Sequence, residues 1–189
     1  LSLKISSMLF DVDDFIFQKQ NNIGVRLEDL IQEPKKTMKT LCKWMGIREE
    51  TSLYEMTAQG KKWWGDTSSP DFGENGQSAF NPSSIKRQVG SIFSENDQFI
   101  LKTLFYPFRT RFRYVDENPV KFKHNLKTIR PMINQMFDFE KTMADRQGID
   151  PNDFIKLGFY LYLRANMIER WKTLNEFHTY PNMLEYKEI

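Results

Sequence analysis

The chain has 189 residues, of which 40% are hydrophobic and 28% charged, with a mean hydropathy of −0.59. That is a soluble globular composition, which excludes a disordered chain, and no apolar run approaches the roughly 20 residues of a membrane span. The 27 Lys and Arg against 25 Asp and Glu leave +2, too balanced for a charge-driven nucleic-acid binder. A lone Cys42 and two histidines at no ligand spacing exclude a disulfide scaffold and a structural zinc site. No secretory h-region is present, so cytoplasm is the expected compartment. The first residue is Leu1, which points to a chain processed, trimmed or cut from a longer reading frame.

In chain order, Met8, Phe10, Phe15 and Phe17 suggest a helix over 3–20 with a period blurred by the acidic run 11–14. Ile23, Val25 and Leu27 alternate with Gly24 and Arg26, the signature of a strand over 23–27. Pro34 then suits the first turn of a helix, where its missing N–H has no partner anyway. Met38, Leu41, Cys42 and Met45 give that helix one apolar face, and Gly46 stops it. Residues 67–84 form a long loop of Gly, Pro and Ser. Ser94 and Asp97 open a further helix as a capping-box variant, with Pro107 breaking its end. Residues 116–121 read as a linker. Helices follow over 122–146, disturbed at Pro131, and over 151–178, where Asp150 caps, Pro151 starts and Phe154, Leu157, Leu161, Ile168 and Trp171 form a stripe.

The segment Val25-Arg26-Leu27-Glu28-Asp29-Leu30, followed by Glu33-Pro34, Met38, Leu41, Trp44 and Gly46, is physically a strand, an acidic turn and a Pro-started helix. The order and choice of these residues resemble the sulfotransferase family, with its R-aromatic-E-D-L strand end and its apolar helix closing on Gly. Leu27 departs from that pattern. The family usually places Tyr or Phe there, near the adenine of its cofactor, and Leu can pack on a base without stacking. The resemblance implies the C-terminal half of a P-loop-like α/β fold over 1–114, a helical extension over 115–189, and 3′-phosphoadenosine 5′-phosphosulfate (PAPS) as cofactor. It also implies a small-molecule or glycan acceptor.

The resemblance further places a basic, Gly-containing loop on the cofactor's 3′-phosphate, and Ile85-Lys86-Arg87-Gln88-Val89-Gly90 lies at a similar separation from Arg26. Arg87 offers a planar fork, Lys86 a point charge, and Gly90 room for backbone N–H groups to approach an anion. The same run also reads as an ordinary basic surface turn. Trp63 and Trp64, between Lys62 and Gly65, suit a wall of the acceptor cleft, or simply the edge of a core. Arg109, Arg111 and Arg113 alternate and would share one face of a strand. His124 and His178 lie in the helical tail with no nucleophile constellation, and neither is given a catalytic role.

Sulfotransferases place their phosphosulfate loop before the R-x-E-D-L strand and usually a base downstream of that loop. No such Gly-rich loop precedes Ile23 here. The expectation is therefore a mainly α chain with little β, part of a sulfotransferase domain and without its catalytic groups. A solitary strand must also pair somewhere, with 110–114 or with a second copy through its exposed edge, which leads us to expect self-association. The rival reading from another class is a non-catalytic helical interaction module; a nucleic-acid module ranks third, because the basic groups look scattered.

Overall fold

The computed structural model describes residues 1–9, 21–55, 57–62, 80–82, 85, 92–174 and 182–183. Among them helices dominate, as the composition of long amphipathic runs requires. Contacts group the chain into two compact units, one of residues 1–22 and 88–182, the other of 23–87 and 183–189.

The larger unit is a helical assembly. Helix α1 (Ser2–Met8) lies against the long C-terminal helix of this unit, Gly158–Thr173. Helices Glu95–Leu104, Pro119–Ile129 and Asp138–Gln147 complete the core, with Ile5, Leu9, Ile100, Leu104, Ile129, Ile133 and Leu163 all buried. Each such side chain taken from water is worth about 1.5–3 kcal/mol. Two short helices, Tyr106–Arg111 and Pro151–Phe154, bridge between the longer ones.

The smaller unit begins with β1 (Ile23–Gly24), continues through α2 (Leu27–Gln32) and α3 (Pro34–Met45), and passes a 3₁₀ turn at Thr51–Tyr54. A hairpin follows, with β2 (Thr57–Ala58) antiparallel to β3 (Lys61–Lys62) and Thr57 opposite Lys62. Its two-residue loop has Gln59 at φ 53° and Gly60 at φ 74°, the mirror-image turn whose twist matches a hairpin. In chain order the remaining helices are α4 (Glu95–Leu104), α5 (Tyr106–Arg111), α6 (Pro119–Ile129), α7 (Asp138–Gln147), α8 (Pro151–Phe154) and α9 (Gly158–Thr173).

Several expectations change. The strand over 23–27 shrinks to Ile23–Gly24, because Glu28 and Asp29 favour a helix N-terminus and Leu27 opens α2 instead. It pairs with β4 (Asn182–Met183), whose Met183 belongs to the same unit, and not with 110–114. Residues 109–111 are helical, so Arg109, Arg111 and Arg113 do not share a strand face. Residues 116–121 are not all linker, since Pro119 starts α6 with Asn118 Oδ1 accepting the Lys121 N–H at 2.9 Å. The helix placed at 151–178 is two. Asp150 caps α8 as expected, accepting the Asn152 N–H at 2.7 Å, but α9 restarts at Gly158. That restart adds Tyr160, Leu163 and Met167 to the buried side and leaves Leu161 54% exposed, while Phe154 is buried and Leu157, Ile168 and Trp171 pack against the core as read. Helix α3 holds as read, with Pro34 in its first turn and Gly46 at φ 69° closing it, although Met45 is exposed. The expected helix over 3–20 is seen as α1, and its remainder lies outside the described residues, as does most of the 67–84 loop.

The end of α5 contrasts with Gly46. The Tyr114 N–H bonds back to the Arg109 carbonyl at 2.8 Å, and the residue between helix and bond is Arg113 at φ 54°. A Cβ is disfavoured in that left-handed conformation, which helix ends usually give to Gly. Arg113→Gly should therefore raise stability by about 0.5–1 kcal/mol in urea denaturation. A loss of stability would show that the arginine side chain outweighs its backbone strain.

Candidate functional site

The motif that carries the resemblance folds into a tight local unit. Arg26 precedes α2 and its Nε donates to Asp29 Oδ2 at 2.9 Å, while its terminal nitrogen pairs with the other carboxylate oxygen. This fork-on-carboxylate geometry commits Arg26 to the turn rather than to a ligand. Asp29 also anchors the next helix: its carbonyl accepts from Thr37 Oγ1 at 2.9 Å, and Thr37 is fully buried on α3. The acidic residues Glu28 and Asp29 sit in the first turn of α2, where the helix dipole favours negative charge. Arg26, α2 and the Pro-started α3 are thus joined by side-chain hydrogen bonds.

Leu27, the position of the expected adenine contact, begins α2 and is 53% exposed. An apolar side chain left in water at that point is available to cover a flat ring. Lys86, Arg87 and Gly90, expected on the 3′-phosphate, lie outside the described residues, as do Trp63, Trp64 and His178. Of the expected site residues, Leu27 is the one among the described residues. His124 is exposed on α6, and its backbone carbonyl accepts from Thr128 Oγ1 at 3.1 Å.

Elsewhere in the smaller unit, the Tyr54 hydroxyl donates to Glu49 Oε1 at 2.6 Å, and Tyr54 packs near the Phe80 ring. Holding its proton on the carboxylate pushes the phenol up to about 12, so Tyr54 is a poor base at neutral pH. Among the described residues no group of His, Cys, Asp and Glu could hold a metal ion.

The densest polar cluster is in the larger unit, and sequence reading missed most of it. The Asp97 carboxylate, buried on α4, accepts the N–H of Asp138 at 2.9 Å and of Phe139 at 3.1 Å. It therefore caps α7, whose own N-cap residue, Phe137, has no acceptor to offer. Ser94 caps α4 by accepting the Asp97 N–H at 3.1 Å and donates to Asp138 Oδ2 at 2.6 Å. The Lys141 ammonium and then the Ser94 hydroxyl hold the Asp138 carboxyl below the ordinary range. Glu140 Oε2 accepts the Phe137 N–H at 2.8 Å and pairs with Arg164 of α9, both side chains being buried. The Arg164 guanidinium lies between the Phe137 and Tyr160 rings, 4.8 and 4.4 Å from their centroids. Burial pushes the Glu140 carboxyl up, with Arg164 pulling it down less strongly. The only hint of this cluster in the sequence is the capping pair Ser94 and Asp97. Enclosed as it is in the core, it is a device for locking helices rather than a site open to a substrate.

Comparisons with family models, with curated proteins and with solved structures find no match to this chain. Among the described residues no helix is long and apolar enough to cross a membrane.

Proposed function

We propose that the chain carries the C-terminal portion of a PAPS-dependent sulfotransferase domain over residues 1–114, with 115–189 as its helical extension. The observation that supports this reading is the segment from Arg26 through α2 and α3, in which Arg26 pairs with Asp29, Thr37 of α3 donates to the Asp29 carbonyl, and the helix ends on the left-handed Gly46. Leu27 fits the adenine side of such a cofactor by its exposure. Lys86, Arg87 and Gly90 would hold the 3′-phosphate through charge-assisted and backbone donors, and Trp63 and Trp64 would wall the acceptor cleft.

In sulfuryl transfer the bond from sulfur to the bridging phosphate oxygen breaks as sulfur bonds to the acceptor oxygen or nitrogen, and a base takes the acceptor's proton. The residues assigned here bind and orient the cofactor. They supply neither the base nor the charge at the bridging oxygen, so this chain alone should turn over no PAPS with any acceptor. Adenosine 3′,5′-bisphosphate, the desulfated cofactor, should nonetheless raise its melting temperature. Sulfated product in an assay of the purified chain would show that catalytic groups have been misassigned.

A second reading, a helical interaction module, is supported by Leu161 and Tyr162, each 54% exposed on α9. It predicts no thermal shift with the nucleotide.

A further inference from the structure

Helix α6 is amphipathic in an unusual sense. Its apolar residues Phe122, Leu126 and Ile129 turn inward, with Leu126 and Ile129 buried and Phe122 stacked on Tyr106 at 4.3 Å. At about 100° per residue, Val120, Lys123, Lys127 and Arg130 fall within an arc of about 80° that flanks the apolar one, the two centres lying about 110° apart. Along the axis they extend over about 15 Å, with the cations spaced by about 4.5–6 Å. No acidic residue occurs in α6. Residues 105–135 hold seven Lys and Arg against two acids, Asp116 and Glu117, in a chain whose total is only +2. Three of these seven, Lys123, Lys127 and Arg130, line up in a row.

Lys123 and Lys127 are exposed and pair with no carboxylate among the described residues. Arg130 is fixed at the end of the row by lying over the Trp171 ring, 4.9 Å from its centroid, while Trp171 Nε1 donates to the Leu126 carbonyl at 2.8 Å. The helix thus presents two exposed lysines beside an arginine held on a ring.

We infer that this outward face of α6 is a docking track for a single-chain acidic polysaccharide bearing sulfate or carboxylate groups. The row is one helix wide, which suits a narrow chain. A nucleic-acid duplex is bound by neutralising many phosphates at once, and a chain with a net charge of +2 has little to add to three cations. Single-stranded nucleic acid needs aromatic platforms, and the face carries none. A membrane surface is held by an apolar stripe or by a cluster of about four to eight cations; the apolar stripe of α6 is spent on the core, and the row has only Lys123, Lys127 and Arg130. This inference stands on α6 and is independent of the sulfuryl-transfer reading.

The test is calorimetric titration of the full chain with heparin at about 50 mM salt, where exposed charges are weakly screened. Duplex DNA and phosphatidylserine vesicles serve as competing probes. The expected result is saturable heparin binding, tighter than to either competitor. Lys123→Glu with Lys127→Glu should weaken it roughly tenfold or more, and Lys123→Arg with Lys127→Arg should keep it within about threefold. Circular dichroism melts verify folding, and Lys123→Gln with Lys127→Gln replaces the Glu pair if that variant fails to fold. No heparin binding, unchanged affinity in the charge-reversed variant, or equal binding to DNA or vesicles would each overturn the proposal.

Discussion

Arg164→Met should destabilise the chain by about 3–5 kcal/mol, the loss expected when one member of a buried ion pair is removed. Arg164 and Glu140 are 6% and 0% exposed, and Glu140 has no water to fall back on. Among the described residues Glu140 Oε1 has no hydrogen-bond partner even with Arg164 present. Losing the guanidinium leaves a carboxylate facing the Phe137 and Tyr160 rings, while Met supplies comparable bulk and a sulfur contact to them. The loss should also depend on pH. Burial already sets the folded Glu140 above its ordinary value, and without Arg164 it rises further. A raised folded value favours the protonated form, so the stabilising contribution is full below the unfolded carboxylate range and disappears as pH rises through the folded value. Urea denaturation should accordingly show a larger deficit at pH 8 than at pH 5. Adding Glu140→Gln removes the stranded charge and keeps an oxygen for the Phe137 N–H. The double variant should recover at least half of the loss, and a double variant no better than the single one would show that the cost lies in lost packing and not in charge.

Asp97→Ala should cost about 2–4 kcal/mol, because two N–H groups at the start of α7 lose a charged acceptor at once. Phe137 has nothing to substitute, and Phe139 is buried, so its N–H cannot easily recruit solvent. Asp97→Asn retains one acceptor oxygen but turns an amide donor toward the second N–H, so it should preserve less than half of the contribution. Ser94→Ala, which removes the cap of α4, should cost only about 1 kcal/mol. Native-state hydrogen exchange locates the effect: protection should fall first at the amides of Asp138 and Phe139. A uniform loss across both compact units would contradict a role confined to the α7 terminus.

Both effects rest on residues whose partners lie 41 to 42 and 24 positions away in the chain. That separation explains what the sequence made legible. Local signals were readable: Pro34 and Gly46 bound α3, Asp150 and Pro151 open α8, and Ser94 opens α4, all through contacts within one turn. Period-2 alternation at 23–27 misled, because it does not weigh the preference of Glu28 and Asp29 for a helix start. The 151–178 stripe holds at Phe154, Leu157, Ile168 and Trp171 and fails at Leu161, because one continuous helical period does not allow for the break at Gly158. Asp97 read as part of its own helix's cap, yet its carboxylate serves α7, and no spacing rule announces a partner so distant. The row on α6 was hidden differently. Its lysines are evenly interleaved with apolar residues in sequence, and only the helical period gathers them on one side. For the candidate cofactor site, the motif order was legible, and Leu27 is the member that the structure places.

The central claim is that residues around Leu27, Lys86 and Arg87 form the 3′-phosphate and adenine side of a PAPS site. Calorimetric titration of the chain with adenosine 3′,5′-bisphosphate tests it most directly, comparing wild type with Lys86→Ala and Arg87→Ala combined. The account predicts saturable binding to the wild type, weakened by about 1.5–3 kcal/mol per lost charged hydrogen bond, with the melting temperature of the unliganded variant unchanged. Equal affinity in the two proteins, or no binding to the wild type, would contradict it.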